Sequence, residues 1–263
     1  MATTSRWIEW WLSLSPAAVI GILIGLHVGV AAIVNALIEG RWTGGFVKRH
    51  CGATPITVMP MMLMFSLLVG FLGAEIAGRN QRAERCIADE ARTLEALHFL
   101  TRASRAPMAG VREAARRYAV IAVGEFPGFA RHGESADAVE AVHELERAGA
   151  EYASSPDSPA VAAGSIMESV LLLKKSRSER ALLISEQSEF AWITVLGLSI
   201  LAIVAIGVGH VANRSERITT WSLFIPAVVI VLGMLALREN PYSPPLSVSA
   251  APLELARLHL SER

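Results

Sequence analysis

The sequence predicts an all-α membrane protein with four transmembrane helices and a cytoplasmic helical bundle inserted between spans two and three. Four apolar blocks, residues 10–38, 52–74, 190–213 and 218–237, contain no Asp, Glu, Lys or Arg. About twenty apolar residues in a helix span a bilayer, so each block is long enough. Residues 79–189 instead hold 15 Lys and Arg and 17 Asp and Glu, which makes 32 of the chain's 48 charged residues.

The first block is interpreted as a membrane helix. A cleavable signal peptide is the alternative, but the block is longer than the apolar region of such peptides, and three further spans follow it. Gly21, Gly25 and Gly29 recur every four residues and offer a face for close helix packing. His27, a titratable residue near the middle of the span, is either a functional group or a neutral, hydrogen-bonded packing residue, and the second role is favoured.

The second block continues without a turn signal into charged sequence, which predicts one helix that leaves the bilayer at Glu75 and forms a stalk in water. At about 100° per residue, its small side chains fall on one side of the helix and its bulky ones on the other. The small side contains Gly70, Gly73, Ala74 and Ala77, and the bulky side contains Met61, Phe65, Leu68, Leu72, Glu75 and Arg79.

The charged region is predicted to form about four helices, separated by Pro and Gly. The stalk runs to residue 104; the next helices cover 111–126, ended by Pro127 and Gly128, then 135–152 and 159–189. Ser135 and Ser158 are N-cap candidates, and Pro159 suits the first helical position. Apolar seams are expected on the stalk at Ala83, Ile87, Ala91 and Leu94, and on the last helix at Ile166, Val170, Leu173, Ala181 and Ile184.

Spans three and four are joined by a tight hairpin at residues 213–217, and the proline-rich tail is expected to be extended until Leu253. Cys51 and Cys86 lie on opposite sides of the second span, so no disulfide is predicted. Ten basic residues flank the spans on the side of the termini and the bundle, against five on the other side. This bias places both termini and the bundle in the cytoplasm.

Several short motifs resemble one family. They are Asp89, Glu90 and Ala91 after the second span, Arg180 and Trp192 around the third, and residues 238–242 and 248–253 after the fourth. In this order they are similar to the bestrophin-like domain family, bacterial membrane proteins of unknown function. The resemblance implies distant kinship to bestrophins, which are homopentameric anion channels with a pore along the second span.

The bulky stripe of the second span is the candidate pore lining. Met61, Phe65, Leu68 and Leu72 would form a hydrophobic constriction in an oligomer, with Glu75 and Arg79 at its cytoplasmic mouth. The alternative is that this stripe faces lipid and the small face is buried. Glu75 and Arg79 are also i,i+4 partners, which favours a local ion pair for both.

A di-iron carboxylate oxidase is a third interpretation of the charged region. Such bundles use two Glu-x-x-His pairs and two further glutamates. The matching residues are Glu95 with His98, Glu140 with His143, and the single residues Glu113 and Glu168. With this many acidic residues, two matches arise readily by chance, so no metal site or cofactor is assigned.

We therefore expect a homo-oligomeric, bestrophin-like ion channel or channel-like protein in the bacterial inner membrane. Its partners would be the lipid bilayer, further copies of itself, a pentamer by resemblance, and inorganic ions; the zero formal charge gives no sign of nucleic-acid binding. The alternative is a non-conducting scaffold or sensor that acts through the bundle. No motif of common hydrolases, kinases or zinc enzymes is present, so no enzymatic activity is expected. The chain is expected to divide into an N-terminal pair of transmembrane helices (residues 1–78), a cytoplasmic helical bundle with stalk helices (79–189), a C-terminal pair of transmembrane helices (190–238) and an extended cytoplasmic tail (239–263).

Overall fold

The computed structural model describes residues 10–11, 14–41, 44–50, 55–103, 108–185 and 189–261. Nine helices and no strand occur in these ranges. They are α1 (Pro16–Glu39), α2 (Gly44–His50), α3 (Pro55–Ala103), α4 (Ala109–His132), α5 (Ala136–Ala153), α6 (Ala160–Ser185), α7 (Glu189–Gly209), α8 (Arg214–Arg238) and α9 (Ala251–Ser261). Cys51, on which half of the disulfide argument rests, lies outside the described residues.

The chain forms two compact units. The membrane unit comprises Met1–Ala77 and Gln187–Glu239, and the charged unit comprises Gly78–Glu186 and Asn240–Arg263. Four stretches of helix are long and apolar enough to cross a bilayer, and each overlaps one of the four predicted apolar blocks. The all-α prediction with four apolar spans is therefore confirmed.

In the membrane unit, α1 packs against both α7 and α8. The sequence explains where these helices begin: Ser15 caps α1 ahead of Pro16, and the Asn213 side chain accepts hydrogen bonds from the first turn of α8. The cap starts α8 at Arg214, so the prediction of a tight hairpin at residues 213–217 is wrong: residues 214–217 are helical, and the turn between the two spans lies at residues 210–213. Gly207 permits close packing, since a Cβ there would lie 2.5 Å from Val34.

In the charged unit, α4 packs against α5 and α9, and α5 packs against α6. The prediction that Pro127 and Gly128 end the second charged helix is wrong, because α4 continues to His132 and ends at Gly133, whose φ is 66°. Continuation brings Phe129 into the core, where it is fully buried, and this burial offsets the hydrogen bond that proline cannot donate.

The tail is non-helical from residue 239 to residue 250, as its prolines predict, and α9 begins two residues before the predicted end at Leu253. Leu253, Ala256 and Leu260 recur at helical spacing and are buried against α4. The C-terminal segment is therefore part of the charged unit's core.

Candidate pore helix and buried charge clusters

The predicted pore-lining residues of α3 differ in exposure. Phe65 and Leu72 are buried within the membrane unit, and the Phe65 ring lies 6.1 Å from the ring of Phe224 on α8. Met61 and Leu68 are half-buried, whereas Glu75 is exposed. Arg79, which belongs to the charged unit, is buried. Their role at a pore remains a prediction.

A second stripe of α3 lies on the outside of the chain. Leu63, Leu67 and Phe71, spaced four residues apart, are 64%, 54% and 61% exposed. The small residues beside them, Gly70 and Ala74, are exposed as well, and a Cβ on Gly70 would meet nothing within 4 Å. Gly73 on the same predicted tight-packing face is half-buried, and a Cβ there would lie 3.5 Å from Leu235, so the face is only partly covered by its own chain.

The glycine face of α1 is similarly open. A Cβ added at Gly21, Gly25 or Gly29 would meet nothing within 4 Å. Two helices of the membrane unit thus present small residues outward, the arrangement that allows helices of neighbouring molecules to approach closely in lipid.

His27 is a packing residue between α1 and α7. It is fully buried, with Nδ1 donating to the Leu23 carbonyl at 2.7 Å and Nε2 lying 3.0 Å from the Ser199 hydroxyl. Because a carbonyl can only accept, Nδ1 carries a proton, and the Ser199 hydroxyl that faces Nε2 also donates to the Leu196 carbonyl at 2.8 Å. Both ring nitrogens are engaged within the chain.

An ion pair that the sequence did not predict closes one end of the membrane unit. Arg217 at the start of α8 is fully buried, and its Nη2 donates to Glu39 at 2.7 Å and to Asn35 at 2.8 Å, both on α1. Its Nη1 donates to the carbonyls of His210 and Val211 in the loop that follows α7. One guanidinium therefore ties α8 to α1 and to this loop.

Trp192 and Glu239 form another buried polar contact in the membrane unit. The indole Nε1 donates to the Glu239 carboxylate at 3.0 Å, and both side chains are almost fully buried. Trp11 packs edge-on against Trp192 with ring centroids 5.1 Å apart. The contact joins the start of α7 to the residue that follows α8.

The charged unit contains a buried cluster around Glu125 of α4. Its carboxylate accepts hydrogen bonds from Arg177 at 2.9 and 3.2 Å and from Arg180 at 2.8 Å, both on α6. It also accepts from the backbone N–H and the hydroxyl of Ser135, the N-cap of α5. Glu134 lies 2.9 Å from Arg177 Nε at the partly exposed edge of the cluster.

The same cluster reaches α3 through Glu90. The Tyr118 hydroxyl donates to Glu90 and accepts from Arg177 at 3.3 Å, while Arg180 Nε lies 3.4 Å from the second Glu90 oxygen. Burial and the charge of Glu90 hold the pKa of Tyr118 well above its usual value, so the phenol stays protonated as a donor. The contacts thus form a closed ring that runs through Glu90, Tyr118, Arg177, Glu125 and Arg180 and returns to Glu90.

Aromatic rings enclose this ring of contacts. Arg180 lies over the face of Phe129 at 4.4 Å, and Tyr242, from the segment before α9, packs edge-on against Phe129 at 5.0 Å. Burial raises the pKa of Tyr242 far above its usual value. The cluster is thus a buried core of two arginines and two glutamates, with Glu134 at its edge, that connects α3, α4, α5 and α6.

The residues of the di-iron interpretation are not brought together. Glu95, Glu113, Glu140, His143 and Glu168 are exposed. Glu113 pairs with Arg116 at 2.7 Å, and Glu95 lies 3.3 Å from His259. Within the described ranges no group of three His, Cys, Asp or Glu side chains could hold a metal ion.

Comparison with known families gives a match to the Bestrophin-like domain over residues 25–253. The chain belongs to the Bestrophin-like domain family. Three crystal structures of a bacterial bestrophin homologue from Klebsiella pneumoniae share the fold. One variant gives a TM-score of 0.71 at 13% identity, covering 92% of this chain and 99% of that one. The structure phased with zinc gives a TM-score of 0.70 at 12% identity, covering 92% of this chain and 97% of that one. A second variant gives a TM-score of 0.69 at 13% identity, covering 94% of this chain and 97% of that one. No curated protein matches the sequence.

Five of the motif residues that resembled the Bestrophin-like domain lie in buried contacts. Glu90, Arg180 and Tyr242 belong to the charged-unit core, and Trp192 and Glu239 form the indole–carboxylate pair. These five residues therefore contribute to packing between helices.

Proposed function

We propose that this protein is a homo-oligomeric ion channel of the bacterial inner membrane. The observation that carries the proposal is the exposed stripe of α3, Leu63, Leu67 and Phe71, bordered by the exposed small residues Gly70 and Ala74. Membership of the Bestrophin-like domain family supports a channel architecture, and kinship to bestrophins implies a pentamer.

A single copy offers no polar path through its described spans. The helices pack around a core that includes the fully buried Leu23, Leu72, Trp192, Ile203 and Leu232. A conducting path must therefore be built between copies. The open small-residue faces of α1 and α3 are suited to such contacts, because lipid-embedded helices associate mainly by close packing.

We place the pore on the exposed stripe of α3 in preference to the predicted Phe65 and Leu72. A side chain that is buried inside one copy is not available to an axis shared by several copies. Rings of Leu63, Leu67 and Phe71, spaced one helical turn apart, would form a hydrophobic constriction that gates by dewetting. Exposed Glu75 would lie one turn beyond the last ring.

Planar-bilayer recording of the purified protein tests this assignment. Replacing Leu67 by Ala should widen the constriction and raise the unitary current or the open probability. Leu223→Ala, an exposed position on α8, which carries neither small-residue face, should leave both unchanged. Absence of current in the parent protein and both variants would refute the channel, and a monomeric mass in native detergent would refute the oligomer.

We further propose that the charged unit and both termini lie in the cytoplasm, following the ten-to-five bias of basic residues. The two pairs of transmembrane helices are then residues 1–78 and 190–238, the cytoplasmic bundle is residues 79–189, and the cytoplasmic tail is residues 239–263. Fusion of a reporter that is active only outside the cytoplasm to the C-terminus should give no activity, whereas fusion in the loop between α7 and α8, at Ala212, should give activity.

A further inference from the structure

In the membrane unit, α8 supports α3 at two levels. The ring of Phe65 lies 6.1 Å from the ring of Phe224, and a Cβ added at Gly73 would lie 3.5 Å from the Cδ2 methyl carbon of Leu235. Phe65 and Gly73 are eight residues apart, or roughly 12 Å at 1.5 Å per residue. The contact with α8 therefore extends over about two turns of α3.

Both contacts lie on the side of α3 that is turned away from the exposed stripe. At 3.6 residues per turn, Phe65 lies roughly 160° and Gly73 roughly 120° around the helix from Leu67, the middle residue of the stripe. Leu67 is 54% exposed, whereas Phe65 is buried and Gly73 is half-buried. Displacement of α3 away from α8 at these contacts therefore moves the stripe outward from the membrane unit.

The distance between α3 and α8 depends on the absence of a side chain at Gly73. A Cβ at 3.5 Å would be in ordinary van der Waals contact with Leu235, so the single methyl group of alanine fits there. Valine carries two further methyl groups on that carbon, for which Leu235 leaves no room unless the helices separate. At Gly70, about one turn earlier, a Cβ would meet nothing within 4 Å, so the constraint is specific to Gly73.

We propose that Gly73 is a positioning residue for the pore, because it keeps α3 close to α8 and so sets how far the stripe projects toward the axis shared by the copies. The inference rests on the proposed function, which places Leu63, Leu67 and Phe71 at the constriction. A larger side chain at position 73 pushes α3 toward that axis and narrows the constriction. A smaller side chain at position 235 relieves the push.

Planar-bilayer recording of variants with exchanged side-chain size tests the inference. Gly73→Val adds three carbon atoms at the contact and should lower the unitary current, and Leu235→Ala, which removes three, should restore it in the double variant. Gly197→Val on α7, where a Cβ would meet nothing within 4 Å, is the control and should leave the unitary current unchanged. A loss of stability alone would reduce the number of active channels but not the current through each one.

Equal unitary currents in the parent protein and Gly73→Val would overturn the positioning role and leave the channel itself intact. Cross-linking between copies tests the same displacement without any current. In a background with serine at positions 51 and 86, Leu67→Cys places one thiol on the stripe. A short bis-maleimide should then join neighbouring copies faster once Gly73→Val is added, and Leu235→Ala should return the rate to that of Leu67→Cys alone.

The cross-linking result separates a failure of the inference from a failure of the proposed function. Rates that respond as expected in a protein that carries no current would refute the channel and support the positioning role of Gly73. Equal rates with and without Gly73→Val would overturn the positioning role. Absence of any cross-link in every variant would overturn both the shared axis and the inference.

Discussion

Replacing Glu125 by Gln tests whether the buried ion cluster holds the charged unit together. The Glu125 side chain is 5% exposed, and it faces Arg177 and Arg180, which are 4% and 0% exposed. The carboxylate is the acceptor shared by α4, α5 and α6, because the N-cap Ser135 also donates to it. The substitution keeps size and shape while it removes the charge and turns one acceptor into a donor.

The expected loss follows from the burial of the partners. Breaking a buried pair by removing one charge costs about 3–5 kcal/mol when the remaining ion is left without compensation, and the lower end, about 3 kcal/mol, applies here because other carboxylates stay close to the arginines. Two arginines would be left facing Glu90 and the partly exposed Glu134. For a chain of this size, each kcal/mol corresponds to roughly 2–4 °C in melting temperature, so Glu125→Gln should lower it by about 10 °C.

Thermal unfolding of the purified full-length protein in one detergent, followed by circular dichroism, measures this effect. Glu113→Gln is the matched control on the same helix, since Glu113 forms an exposed ion pair with Arg116 at 2.7 Å. Exposed pairs contribute about 0–1 kcal/mol, so the control should change by at most a few degrees. If both variants melted within 2 °C of each other, the structural role given to the buried cluster would be wrong.

Three further predictions concern individual positions. Arg217→Met should destabilise the protein by about 3 kcal/mol because α1 and the loop that follows α7 lose a common buried donor, whereas the exposed Arg214→Met should change stability by under about 0.5 kcal/mol in the same thermal assay. Gly207→Ala should cost about 1–3 kcal/mol because its Cβ would overlap Val34, and Gly197→Ala, where a Cβ meets nothing, should be neutral or stabilising. Burial and the charge of Glu179 raise the pKa of Cys86 to about 11 from 9.0, so less thiolate is present at pH 8. In a variant without the other cysteine, iodoacetamide should modify Cys86 about 100-fold more slowly than a thiol of ordinary pKa, and equal rates would contradict the burial.

The membrane spans were predictable because each lacks charge over a length that a bilayer requires, and the start of α5 was predictable because Ser135 is a strong N-cap. The sequence did not predict which face of α3 packs inside the chain. Leu68 and Leu72 on one side and Leu67 and Phe71 on the other are equally apolar, since both faces of a membrane helix avoid water. Hydrophobic periodicity therefore carries little information about packing in this helix.

The positions of the charged residues along the helices indicate the buried ion cluster, whereas their number alone does not. Glu90 lies three residues after Ile87 and four before Leu94 on the stalk seam, and Glu125 lies four before Phe129 on the buried face of α4. The seam of α6 likewise passes through Arg177 and Arg180, between Leu173 and Ile184. A single charge in an apolar seam usually marks the edge of a core. Two acidic and two basic residues, at seam positions of three helices that must pack together, can stay buried only if they neutralise one another. The equal numbers of acidic and basic residues at these seam positions therefore predict an internal ion cluster from the sequence alone. Charged residues at seam positions differ in this respect from those that flank the spans, which remain in contact with water.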